Sequence, residues 1–211
     1  MKLQKDDLLL YAITDRSWLG DSTLTEQVEK ALKGGITMLQ LREKNMPYEQ
    51  VRQTAIELKT LCRKYSIPFI INDYVELAKE IGADGVHVGQ SDTSVSRARA
   101  LLGENAIIGA TAKTVEQALE AQAQGADYLG SGAVFGSVTK LDAKPMEHAL
   151  LQSICEAVSI PVVAIGGVTR ENVATLKGRG MAGVAVVGGI FGQENIKQAA
   201  FELKKRMIEI M

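Results

Sequence analysis

Short apolar runs alternate with longer amphipathic stretches along the whole chain. Eight runs stand out: Leu8–Thr14, Thr37–Glu43, Phe69–Asp73, Gly85–Gly89, Ala106–Ala112, Asp127–Val134, Pro161–Gly167 and Gly183–Gly189. Each is rich in Val, Ile, Leu or Ala and bounded by Gly, Asn, Asp or Pro, the profile of a parallel strand buried on both faces. Between them, residues 25–33, 48–65, 75–81, 94–102, 114–124, 150–158, 170–177 and 195–210 carry apolar positions at helical spacing. Ser94 opens one such stretch as a capping residue, and Thr114 with Gln117 spells a capping box. Eight strand-then-helix units predict an α/β protein, a single (β/α)8 TIM barrel over residues 1–211. In that fold the active site forms where the strands end, and nearly every chemically capable residue here sits just past the end of a run.

Composition narrows the reading. With 211 residues, 46% of them hydrophobic, the chain suffices for one well-buried domain. A net charge of −1 with interspersed signs argues against nucleic acid as a partner. The N-terminal apolar run is too short for a signal peptide, and no stretch approaches the roughly 20 apolar residues that span a bilayer. Cys62 and Cys155 have no metal-like spacing and read as free thiols. A cytoplasmic protein with no membrane partner is expected.

The second run ends Gln40-Leu41-Arg42-Glu43-Lys44. Side chains alternate along a strand, so Gln40, Arg42 and Lys44 share one face and Leu41 and Glu43 the other. An amide, a forked guanidinium and an ammonium at a barrel mouth suit a diphosphate; rim salt bridges to Glu43 are the plainer alternative. Asp73 ends the third run and Asp92 follows the fourth. Two carboxylates at neighbouring strand ends, without Cys or His, favour a hard cation, foremost Mg²⁺; helix capping is the alternative for each. Lys140 belongs to the aperiodic loop of residues 135–145, a candidate lid. Gly166-Gly167 and Gly188-Gly189 end the seventh and eighth runs, where barrels of this type bind phosphate through backbone N–H groups. His87 reads as a satisfied barrel histidine, His148 as solvated, and Trp18 as packing more than a shield.

These residues resemble the thiamine-phosphate synthase family over nearly the whole chain. The resemblance is carried by Tyr11–Asp15, Gln40–Lys44, Ile71–Asp73, Ala83–Gln90 with Asp92, Val134–Lys140 and Val163–Gly167. It implies a transferase that joins 4-amino-2-methyl-5-hydroxymethylpyrimidine diphosphate to a hydroxyethylthiazole phosphate, giving thiamine phosphate and pyrophosphate. Gln40, Arg42, Lys44, Asn72 and Lys140 would hold the pyrimidine diphosphate, with Arg42, Lys44 and Lys140 the catalytic cations. Asp73 and Asp92 would hold Mg²⁺. Ser137, Thr139, Gly167, Val187 and Gly188 would line the thiazole phosphate site, and Leu41, Glu43, Thr111 and Val138 complete the substrate-binding set. Three positions depart from the family pattern: Thr111 and Ser137 exchange one hydroxyl residue for another, and Gly188 replaces a common Ser. A thiazole tautomerase of the same fold and a non-catalytic phosphate-sensing regulator are the alternatives, and a homo-oligomer is compatible with each.

Overall fold

The computed structural model describes residues 2–136 and 145–211. Eight parallel strands, β1 (Leu10–Ile13), β2 (Met38–Leu41), β3 (Phe69–Asn72), β4 (Gly85–Val88), β5 (Ile107–Thr111), β6 (Tyr128–Gly132), β7 (Val162–Ile165) and β8 (Gly183–Val186), close into a barrel in chain order. β8 pairs back onto β1 through Leu10↔Val184 and Ala12↔Val186. The helices are α1 (Leu24–Lys33), α2 (Tyr48–Lys64), α3 (Val75–Ile81), α4 (Val95–Leu102), α5 (Val115–Ala123), α6 (His148–Ala157), α7 (Gly188–Phe191) and α8 (Ile196–Ile210). No helix is long and apolar enough to cross a membrane among the described residues.

Strand alternation creates two cores. Leu39, Leu41, Ile71, Val86 and Val184 face outward and pack with helix residues such as Val28, Ala55 and Leu203. Tyr11, Ile13, Met38, Ile70, Ile107, Tyr128, Val163 and Ala185 face inward and fill the barrel. Tyr11 on β1 and Tyr128 on β6 are not on neighbouring strands, yet their hydroxyls lie 2.9 Å apart, so this contact crosses the interior.

Helix starts follow the expected chemistry. Ser94 accepts from the Arg97 N–H and Thr114 from the Gln117 N–H. The return bond differs: the Gln117 side chain accepts from Lys113 N–H rather than from the cap itself.

Two elements depart from the sequence pattern. The helix expected over residues 170–177 is only a 3₁₀ turn, Val173–Leu176. Asn172 explains this: its side chain accepts from Thr169 N–H (2.9 Å) and donates to the Gly167 carbonyl (2.8 Å), tying the segment to the β7 turn. The eighth strand stops at Val186 instead of running to Gly189. Val187 leaves extended geometry (φ −113°, ψ −86°), and its carbonyl accepts from Ile190 and Phe191 to start α7.

Candidate active site

β2 delivers Gln40, Arg42 and Lys44 to the mouth as its alternation requires. Gln40 is buried and donates through Nε2 to the Tyr11 hydroxyl at 2.6 Å. Arg42 is mostly buried beside Asp15, Nη1 to Oδ2 3.4 Å, rather than beside Glu43. Asp15 lies two residues past the end of β1, and this contact with Arg42 is not legible from the alternation along β2. Lys44 is exposed on the rim, with no acidic partner among the described residues.

Leu41 and Glu43, expected in the substrate-binding set, turn their side chains to the helical layer. Leu41 is part of the outer core. Glu43 is paired with Arg16 at 2.7 Å, its side chain 3% exposed, and Arg16 also reaches Thr54 of α2. Burial pushes the Glu43 carboxyl above its ordinary range, and Arg16 offsets that only in part.

The acidic pair sits at the ends of β3 and β4. Asp73 has a left-handed φ of 64°, uncommon for a residue with a Cβ, and such geometry clusters at functional sites. Its N–H bonds the His87 carbonyl of β4, and its carboxylate accepts from the Asn72 side chain at 2.5 Å. Asp92 folds back so that its carboxylate accepts from Gly89 N–H at 2.9 Å. Tyr74 precedes α3 without a side-chain cap bond, and Ser94 caps α4. Among the described residues no cluster of three or more His, Cys, Asp or Glu could enclose a metal ion.

Thr111 ends β5, its carbonyl held by Gln90 at 2.6 Å and its hydroxyl by His87 Nε2 at 3.1 Å. His87 is thus a bonded barrel histidine. His148 is half-buried rather than solvated, stacked edge-on against Phe135 with centroids 5.1 Å apart. Both thiols are free, with Cys62 pushed by burial to about 12 and Cys155 to about 11.

Across the mouth, the β7 and β8 ends converge. Gly166 and Gly167 adopt φ +101° and +65°, backbone that residues with a Cβ rarely adopt. A Cβ on Gly189 would come within 2.3 Å of the Val168 carbonyl oxygen, so this turn and the start of α7 touch. The first N–H groups of α7 have no intrahelical acceptor. Trp18, from the 3₁₀ segment after β1, covers the helix: Cβ atoms on Gly188 and Gly192 would lie 3.2 and 3.1 Å from its ring. Val187 is half-buried where α7 begins. Ser137, Val138, Thr139, Lys140 and the candidate lid loop lie outside the described residues, save for the loop's ends at 135–136 and 145.

Cations past the end of β2, carboxylates past the ends of β3 and β4, and glycine turns after β7 and β8 gather at one barrel mouth, the end where enzymes of this fold class carry their active sites. The thiamine monophosphate synthase family model matches residues 10–190. The thiamine-phosphate synthase of Ruminiclostridium cellulolyticum is 47% identical over 199 residues, covering 94% of this chain and 95% of that one. That of Clostridium beijerinckii is 44% identical over 206 residues, covering 98% and 99%. The solved thiamine phosphate pyrophosphorylase of Pyrococcus furiosus superposes with a TM-score of 0.90 at 38% identity, covering 98% of both chains. The chain belongs to the thiamine monophosphate synthase family and is an enzyme, a transferase.

Proposed function

We propose that this mouth joins the aminopyrimidine diphosphate to the thiazole phosphate, forming thiamine phosphate and releasing pyrophosphate. The bond from the pyrimidine methylene carbon to the diphosphate oxygen breaks, its electron pair leaving with pyrophosphate. The thiazole nitrogen then donates its lone pair to that carbon. The aminopyrimidine stabilises a methylene cation, so no strong base is required; the task is to neutralise charge on the leaving group and hold the nucleophile in line. One observation carries the reading: the cationic β2 end and the carboxylate pair share a rim facing the glycine turns of β7 and β8.

Arg42 grips the diphosphate with its fork, Lys44 and Lys140 add point charges, and Gln40, Asn72 and Thr111 orient the pyrimidine. Gly167, Val187 and Gly188 offer backbone to the thiazole phosphate, and the resemblance assigns Ser137, Val138 and Thr139 to substrate binding. Asp73 and Asp92 fit Mg²⁺, whose shell is commonly one or two carboxylates plus substrate phosphate and water. When bound, the ion would neutralise charge growing on pyrophosphate.

The test is an assay with both substrates and Mg²⁺, following thiamine phosphate. Product is expected, lost in EDTA and restored by added Mg²⁺. Undiminished product in EDTA would remove the metal from the reading. Isomerisation of the thiazole without condensation would point to a tautomerase, and binding without turnover to a regulator.

A further inference from the structure

Five side chains form a continuous hydrogen-bonded path through the barrel. Gln40 Nε2 donates to Tyr11 Oη (2.6 Å), Tyr11 Oη meets Tyr128 Oη (2.9 Å), Tyr128 Oη meets His87 Nδ1 (3.1 Å), and His87 Nε2 meets Thr111 Oγ1 (3.1 Å). The path starts at the end of β2, descends into the interior and resurfaces at the end of β5. Both tyrosines are at most 1% exposed.

The sequence makes room for it. Gly109 lies opposite Tyr128 in the β5–β6 register, and a Cβ there would be 2.1 Å from Tyr128 Cζ. A Cβ on Gly130 would sit 3.3 Å from His87 Cε1. Burial pushes the pKa of both phenols well above the ordinary value, so each hydroxyl stays neutral with one proton to give.

One proton per hydroxyl makes the path directional. Tyr11 Oη accepts from Gln40, so Tyr128 Oη is the path's acceptor within reach of the Tyr11 proton, and His87 Nδ1 in turn the acceptor within reach of the Tyr128 proton. His87 then carries its proton on Nε2 and donates to Thr111, whose own proton is left to point elsewhere. Gln40 keeps its carbonyl oxygen as the end not spent on the path. We infer that Tyr11, Tyr128 and His87 are positioning residues that fix Gln40 as an acceptor and Thr111 as a donor toward the pyrimidine. An aminopyrimidine offers the complement, an amino donor and ring-nitrogen acceptors. This inference rests on the proposed placement of the pyrimidine beside Gln40 and Thr111, and it adds how their polarity is set.

The test combines ¹⁵N NMR of histidine-labelled protein with steady-state kinetics. In the wild type His87 is expected as the neutral Nε2–H tautomer, with His148 assigned through His148→Gln. Tyr128→Phe keeps the ring and deletes the relay atom. It should yield a tautomer mixture at His87 and raise KM for the pyrimidine diphosphate about fivefold, the worth of one net hydrogen bond. The thiazole phosphate KM should be unchanged. Tyr11→Phe, which leaves the Tyr128–His87 contact in place, should raise the same KM while preserving the tautomer, and serves if Tyr128→Phe fails to fold. An Nδ1–H tautomer in the wild type, or unchanged pyrimidine KM in folded variants, overturns the relay. If no condensation occurs at all but His87 shows the Nε2–H form and loses it in Tyr128→Phe, the relay stands and the reaction reading falls.

Discussion

At the scale of single residues, Arg42 and Glu43 show how one step along a strand separates two fates. Arg42 faces the mouth beside Asp15, and its planar fork can engage two diphosphate oxygens together. Arg42→Lys preserves charge and removes that geometry. We expect turnover to drop about tenfold or more, from roughly 1.4 kcal/mol or more of lost transition-state stabilisation; an unchanged rate would exclude a bidentate role. Glu43 faces the helices, and burial holds its carboxyl above the usual 4.5. Below that value the group is protonated both folded and unfolded and costs nothing. As pH rises through the interval up to the raised folded value, the native state must accept a buried charge that the unfolded chain hydrates freely. The stability of Glu43→Gln relative to wild type should therefore improve from pH 4 to pH 7 in denaturant melts. A difference that is flat, or that moves the other way, would show that Arg16 outweighs burial. The alternation that sorted these side chains was legible in the sequence. The place of Leu41 and Glu43 in the substrate-binding set rests on family position, and the period of two turns their side chains outward.

Elements were legible where the periodicity ran long, as in α2, or the cap was strong, as in α4 and α5. The segment after β7 was not. Its apolar spacing resembled a helix, but Asn172 spends both ends of its side chain on the β7 turn. Local side-chain bonds to backbone compete with helix formation, and nothing in an apolar pattern reveals which will win. Asn172→Ala should cost about 1–2 kcal/mol for two lost hydrogen bonds, roughly 2–8 °C in Tm. It should also raise KM for the thiazole phosphate, since Gly167 loses its anchor; a melting shift without a KM change would leave the bond purely structural. The start of α7 was hidden for a related reason. A glycine pair after an apolar run reads equally well as a strand end or a helix start, and only contact with the β7 turn decides between them.

For the whole molecule, strand count and order could be read in advance because each unit repeats a simple rule, whereas the path from Gln40 to Thr111 could not. Tyr11 and Tyr128 are 117 positions apart, and their meeting depends on the stagger that closes the barrel. Trp18 is the sole tryptophan of the chain, and its ring lies over the glycines of α7, where the thiazole phosphate is proposed to dock. The protein thus carries one indole, seated against one of its two proposed ligand sites. Its emission should change in intensity or wavelength on titration with the thiazole phosphate and respond far less to the pyrimidine diphosphate alone. Trp18→Phe should abolish the signal while leaving turnover measurable. An equal response to either ligand would mean that the indole senses a motion of the entire mouth. With the selective response, the order in which the two substrates bind becomes observable by stopped-flow fluorescence without attaching a label.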